Sequence, residues 1–163
     1  MFGVKKPSLS LPSSKGNAVV RDINAIKQHV AWIEFTPEGE ILTANQQFLD
    51  VTGYSLNEIQ GKHHRIFCDA EYVRSADYSR FWQTLAAGES ITGIFERFSK
   101  QHQRFYLSAT YFPVCDDKGN VYKIIKIASD ITARHQALEQ KEAVITALDR
   151  SMAVIEFTTD GKI

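Results

Sequence analysis

The chain has 163 residues, 44% of them hydrophobic, and its 19 basic residues are balanced by 19 acidic ones. A net charge of zero excludes the net-basic face that nucleic-acid binders carry, so no nucleic-acid partner is expected. No apolar run approaches the roughly 18 residues needed to cross a bilayer, and Lys5 and Lys6 are followed by no apolar signal core. Two cysteines, Cys68 and Cys115, are too few for a disulfide framework, so the reading is a cytoplasmic protein with no membrane segment.

Residues 1–17, rich in Ser, Lys, Pro and Gly, read as a flexible leader. Val19, Val20, Ile23, Ile26 and Val30 fall at helical spacing and predict an N-terminal amphipathic helix over 18–30. Ala31–Phe35 and Ile41–Thr43 read as a hairpin turned by Pro37-Glu38-Gly39. A short helix follows from Asn45 to the stop at Gly53, and Ser55-Leu56-Asn57-Glu58 has capping-box form. A longer helix is predicted near 70–87, with Val73, Tyr78, Phe81, Trp82 and Leu85 on its apolar stripe. Ile91–Ser99, Arg104–Val114 and Val121–Ser129 are three further strands. The order β-β, short helices, β-β-β predicts an α+β domain over 31–132. In it, a five-stranded antiparallel sheet carries the short helices on one face and is flanked by N- and C-terminal helices.

Residues 133–152 read as a linker helix, with Ile131, Leu138, Ile145 and Met152 at heptad spacing. The chain then begins to repeat itself. Ala-Trp-Ile-Glu-Phe-Thr-Pro-Glu-Gly-Glu-Ile at 31–41 returns as Ala-Val-Ile-Glu-Phe-Thr-Thr-Asp-Gly-Lys-Ile at 153–163, so a second module is expected to start there.

The segment Asn45-x-x-Phe48-Leu49-x-x-Thr52-Gly53-Tyr54-Ser55-x-x-Glu58-Ile59-x-Gly61-Lys62 resembles the helical core of a PAS domain. Phe81-Trp82-x-x-Leu85-x-x-Gly88-Glu89, Ala109-x-Tyr111-x-Pro113-Val114 and Asp130-Ile131-Thr132 match its later positions, so the resemblance covers about 23–134. Within that family the chain is most similar to PAS domains of bacterial methyl-accepting chemotaxis transducers. The resemblance implies tandem PAS modules, a homodimer, and a signalling domain downstream in the same full-length chain. Tandem PAS domains also precede histidine kinases and diguanylate cyclases. It further implies a small ligand held between helices and sheet, and a relay through Asp130, Ile131 and Thr132 into the exit helix.

Candidate ligand contacts are Phe48, Phe67, Trp82 and Phe95, rings that serve equally as core filling. His64, of the His63-His64 pair, is the candidate for haem iron, since adjacent side chains cannot both face one pocket. The cofactor stays unassigned at this point: haem is one option, and FAD ranks below haem or another small molecule. Flavin-binding relatives carry an arginine near the position of Cys68, and a thiol cannot meet a pyrophosphate. The Asn-Cys-Arg-Phe segment of light-sensing relatives is replaced here by His63-His64-Arg65-Ile66. Glu34 and Glu96 are expected to be solvated or paired across strands. Phosphate-loop, His-Glu-x-x-His and Gly-x-Ser-x-Gly patterns are missing, so no enzymatic activity is expected. The rival reading is a ligand-free module that dimerises through the N-terminal helix and exposed sheet aromatics.

Overall fold

The structure, a computed structural model, describes residues 13–151. The expectations for residues 1–12 and for the renewed copy at 153–163 lie outside the described residues. In chain order the elements are α1 (Ser13–Lys27), β1 (Ala31–Phe35), β2 (Ile41–Ala44), α2 (Gln46–Thr52) and α3 (Leu56–Ile59). A 3-10 turn at His64–Phe67 follows, then α4 (Ala70–Arg74), α5 (Ala76–Ala86), β3 (Ile91–Phe98), β4 (Arg104–Cys115), β5 (Val121–Asp130) and α6 (Thr132–Ser151). The strands form one antiparallel sheet in the order β2-β1-β5-β4-β3. The first hairpin and the later meander therefore join through β1 and β5, the two strands nearest the chain ends of the domain.

Side-chain alternation sorts the sheet into two faces. Ile33 and Phe35 of β1, Leu107, Ala109 and Tyr111 of β4, and Ile124 and Ala128 of β5 point inward. They meet Phe48, Ile59, Phe67, Tyr78, Phe81, Trp82 and Leu85 from the short helices. The α+β expectation holds, with α2–α5 supplying the inner layer. The outer face is covered only where α1 and α6 touch it. Tyr106 of β4 lies under the start of α6, and Trp32 of β1 lies beneath the Lys27 ammonium, 4.4 Å from its ring centroid.

Three local details depart from the sequence reading. The helix expected over 18–30 begins earlier, at Ser13 within the stretch read as leader, and ends at Lys27. It ends there because Asn45 takes over the chain: Asn45 Nδ2 donates to Lys27 O (2.7 Å) and Val30 O (2.8 Å). The single helix expected near 70–87 is two. Ser75 breaks it by donating its hydroxyl to Tyr72 O (2.7 Å) and accepting from Tyr78 N–H (3.2 Å), so it closes α4 and caps α5. Glu34, expected to be solvated or paired across strands, is paired across strands with Lys123 of β5 and is also buried. It accepts from Lys27 Nζ (3.1 Å), Trp32 Nε1 (2.9 Å) and Lys123 Nζ (2.9 Å), which ties α1 to β1 and β5. Burial alone would raise its pKa, but the bonds from Lys123, Trp32 and Lys27 hold it below the usual carboxylate value.

Asn45 is the most heavily used polar side chain in this frame. Besides its two donated bonds, its Oδ1 accepts from Trp32 N–H (2.9 Å) and Phe48 N–H (3.1 Å). One amide thus caps α2 and fastens the chain entering β1. Asn45→Ala is expected to cost about 2 kcal/mol or more, the sum of a lost cap and further unsatisfied backbone groups. Urea denaturation checks this: a loss under about 0.5 kcal/mol would show that the four bonds carry little.

Candidate functional site

The site is built where the 3-10 turn crosses the sheet. The β1–β2 turn comes first. Gly39 has φ +94°, and a Cβ there would sit 2.9 Å from His63 Nε2 and from the Trp82 ring, so only glycine lets those rings close over the turn. Gly39 O then accepts from His64 N–H at 2.8 Å, which directs the His64 side chain inward. His63 stays nearer the surface, as expected of neighbours, though its ring still lies 5.7 Å from Trp82.

His64 is 1% exposed and both its ring nitrogens are engaged. Nδ1 lies 3.1 Å from the Tyr78 hydroxyl and Nε2 lies 3.2 Å from the Tyr111 hydroxyl. Rings surround it: Phe35 at 5.5 Å, Trp82 at 5.4 Å and Phe67 at 6.2 Å between centroids. Phe67 meets Phe48 edge-on at 5.4 Å, and Phe95 meets Tyr111 at 5.3 Å. The five residues singled out from the sequence as ligand contacts therefore share one cluster, with Phe35, Tyr78, Phe81 and Tyr111 as members that the sequence reading did not count among the ligand contacts.

Two further members are charged. Arg97 of β3 is 3% exposed and Lys126 of β5 is 2% exposed. Arg97 donates from Nη2 to the Tyr111 hydroxyl (3.3 Å) and from Nη1 to Glu96 O (2.6 Å), while its Nε is buried without a hydrogen-bond partner. The Lys126 ammonium lies 5.0 Å from the Tyr111 ring centroid, 5.7 Å from that of Phe48 and 6.0 Å from that of Phe95. Among the described residues neither cation forms an ion pair. A signal for both existed in the sequence. Arg97 continues the inward alternation of Ile91, Gly93 and Phe95, and Lys126 sits between Ile124 and Ala128 on the inner face of β5.

This electrostatic setting fixes the protonation of the cluster. Burial, then Arg97, Lys126 and His63, hold His64 well below the ordinary imidazole value. Burial, then Arg97, likewise hold Lys126 well below the ordinary ammonium value. The Tyr111 hydroxyl is pushed up to about 12 by burial despite Arg97, so it stays protonated. The Cys68 thiol, 3.6 Å from His64 Nδ1, is also raised by burial and is an unreactive neutral group.

Haem and FAD do not fit this interior as packed. A haem iron would need a free His64 nitrogen, and both are committed to tyrosine hydroxyls. A planar macrocycle or tricyclic ring would occupy the volume that Phe35, Phe81, Trp82 and Tyr111 fill at centroid spacings of 4.9–6.4 Å. The open space adjoining the site is a cleft of about 350 Å³ beside Arg97, lined by Asp69, Tyr72 and Ile94–Phe98.

The relay residues lie at the other end of β4. Ile131 N–H donates to Tyr106 O (2.9 Å), and Tyr106 N–H donates to Thr132 Oγ1 (3.0 Å). Asp130, expected to begin the relay into the exit helix, is the last residue of β5. The helix starts at Thr132, and Asp130 Oδ1 accepts from the Thr132 N–H (2.8 Å) and hydroxyl (2.5 Å), bracing the threonine that holds Tyr106. The His135 ring of α6 stacks on Tyr106 at 3.9 Å and 7°.

The low pKa of His64 has a consequence for stability. The unfolded chain takes up a proton at this residue as pH falls below about 6.5, whereas the folded chain resists it, so folding stability falls with pH in that window. Between about pH 7.5 and about pH 5.5, His64→Leu is expected to lose less stability than the parent chain, by about 1 kcal/mol. Urea denaturation at the two pH values reads it; equal losses would mean that His64 protonates in the folded state as readily as in the unfolded one.

Comparison with known proteins agrees with this architecture. Residues 41–128 match the family model described as PAS fold. The biofilm dispersion protein BdlA of Pseudomonas aeruginosa is 42% identical over 139 residues, covering 85% of this chain and 33% of that protein. The aerotaxis receptor of Escherichia coli is 26% identical over 112 residues, covering 69% of this chain and 21% of the receptor. The chain thus spans a third or less of the length of these relatives. Among solved structures, an RNA-binding light-oxygen-voltage receptor superposes with a TM-score of 0.65 at 22% identity, over 94% of this chain and 43% of that one. A light-oxygen-voltage domain studied with a flavin analogue gives 0.60 at 21% identity, over 77% of this chain and 94% of that one. These last two speak for the fold alone. With more than half its length matched to the family model, and with the sheet order and inner helical layer described above, the chain belongs to the PAS-fold family.

Proposed function

We propose that this chain is a sensory PAS module of a chemotaxis-type transducer, one that takes up a small molecule at the His64–Arg97–Lys126 cluster and reports it through α6. The observation that carries this reading is the double engagement of β4. On the inner face its Tyr111 hydroxyl meets His64 and Arg97 (3.2 and 3.3 Å), and on the outer face its Tyr106 is latched to Ile131, Thr132 and His135 of the exit segment. A ligand that favours one packing of the inner face therefore biases the same strand that holds the helix. It needs only to bind two arrangements with different affinity. The relatives, one named for biofilm dispersion and the other an aerotaxis receptor, support this setting; a cytoplasmic location and a downstream signalling domain in the full-length chain belong to the same proposal. No helix among the described residues is long and apolar enough to cross a membrane. The role is sensory, not enzymatic: the cluster has no nucleophile–base pair, since its thiol and phenols are held protonated and His64 has no carboxylate partner.

A second role has its own observation. Val19, Val20, Ile23 and Ile26 of α1 and Leu138, Val144 and Ile145 of α6 are exposed, as are Leu42, Ile94, Phe112 and Tyr122 of the sheet. Faces of this kind suit a homodimer, with or without a ligand inside.

Two measurements test these roles. Thr132→Val removes the acceptor for Tyr106 N–H and is expected to raise hydrogen exchange of α6 amides by about tenfold, about 1.4 kcal/mol of lost protection, without unfolding the sheet. It is also expected to shift the signalling output of a full-length receptor carrying it. Unchanged α6 protection would remove the latch from the mechanism. For the second role, Ile23→Glu with Ile26→Glu is expected to convert a dimer to a monomer in light scattering; a wild-type chain that is already monomeric would rule out α1 pairing.

A further inference from the structure

The buried charge of the cluster points to the chemistry of the molecule it takes. Two basic side chains lie on the inner sheet face beside the Phe95 ring: the Arg97 guanidinium carbon at 5.1 Å and the Lys126 Nζ at 6.0 Å from its centroid. The nearest carboxylates look elsewhere. Glu96 points to the outer face, where it takes the Tyr106 hydroxyl and Arg104, and Glu34 is held on that face by Lys27 and Lys123. Asp69, at the mouth of the cleft, spends its Oδ1 on the Glu71 and Tyr72 N–H groups of its own helix. Arg97 retains a buried Nε–H with no acceptor, on the edge of the guanidinium where a carboxylate can be bound side-on. Uncompensated buried cations are unfavourable unless an anion joins them.

We propose that the interior between Arg97 and Lys126 binds a small organic carboxylate. Its anionic end sits between guanidinium and ammonium, and its apolar body lies against Phe48 and Phe95. Access is from the open cleft of about 350 Å³ that Arg97 and Phe95 help to line; Lys126 and Phe48 are not part of its lining, so reaching them requires the rings to repack. The ring-lined surroundings select for an apolar body, which inorganic phosphate lacks, and a single negative charge passes the Asp69 carboxylate more easily than a dianion does. Binding restores charge balance to the inner face and gives Lys126 reason to be protonated, so the strands carrying the two cations, with Tyr111 between them, have a new preferred packing.

This assignment deepens the sensory reading and rests on it, but it is tested by binding, not signalling, so the two can fail separately. The test uses the whole 163-residue chain. Titration calorimetry and thermal shift are run with benzoate and hexanoate, and with benzamide and inorganic phosphate as controls at matched ionic strength. Benzoate or hexanoate is expected to bind saturably and raise the melting temperature, and the neutral amide and phosphate are not. Lys126→Met, similar in size and neutral, is expected to melt no lower than the parent while binding the carboxylate at least about tenfold more weakly. Arg97→Met is expected to weaken binding as well; should that variant fail to fold, Lys126→Met still decides. Saturable binding of neither carboxylate, equal binding by Lys126→Met, or phosphate and benzamide binding as tightly as the carboxylates would each overturn the proposal. The Tyr106–Thr132 latch would be untouched by such a result.

Discussion

Positive charge on the inner face of the sheet is the constraint around which the rest of the site is arranged. A buried cation without a partner loses several kcal/mol of hydration, and the usual remedy is a neighbouring carboxylate. Here the neighbours are aromatic. Tyr111, Phe95 and Phe48 offer their electron-rich faces to Lys126, and Phe95 and Tyr72 offer theirs to Arg97. Ring faces offset only part of the cost. The remainder appears in the protonation states: burial and Arg97 together keep His64 neutral and push Lys126 toward its neutral form, while burial keeps the Tyr78 and Tyr111 hydroxyls protonated against the pull of Arg97. Burial is the first cause at each of these groups, and Arg97, whose guanidinium cannot give up its charge, is the fixed charge that acts on all of them.

Strand β4 turns this local condition into one that reaches the helix. Tyr111 and Tyr106 are on the same strand but opposite faces, the inner one bonded to His64 and Arg97, the outer one beneath α6. A packed sheet does not deform smoothly; it exchanges one discrete set of contacts for another. The hydrogen bonds from Ile131 to Tyr106 and from Tyr106 to Thr132 run between backbones or near them, so a shift of β4 along or across the sheet must be followed by the start of α6 or break those bonds. A coupling of only 1–3 kcal/mol between the two faces is enough for a useful switch, and a pair of hydrogen bonds with one ring stack is of that order.

The fold was largely legible in the sequence because its punctuation is local. Gly53 and the Ser55–Glu58 box announce their helix ends by residue type alone, and the five strands alternate plainly. Failures came where one side chain served two elements. Ser75 closes one helix and opens the next, which a periodicity scan reads as one run. Asn45 ends α1 from a position far along the chain. For Glu34 the cross-strand pairing was one of the two expectations, but its burial was not, because its three donors come from α1, β1 and β5 and meet only in three dimensions. The candidate site was half legible. Aromatic type and the His63-His64 pair led to Phe48, His64, Phe67, Trp82 and Phe95, which do converge. Arg97 and Lys126 were passed over because a charged residue in a strand is ordinarily assigned to water, although the parity of their neighbours placed both on the buried face.

That parity also bears on whether the interior is inert. A module kept only for pairing its helices gains nothing from an arginine and a lysine inside; methionine or leucine at both positions would fill the same space without the desolvation cost, as replacements of buried ionic groups in other proteins have shown. The exposed apolar faces of α1 and α6 are no argument against a sensing interior, since a helix that pairs with a second copy is a suitable receiver for a shift in β4. If α6 pairs as proposed, a small tilt of the helix becomes a change at an interface between copies. On the sensory reading proposed above, charge inside and apolar surface outside are parts of one arrangement: the first would make the sheet sensitive to what occupies it, and the second would give the exit helix something to change.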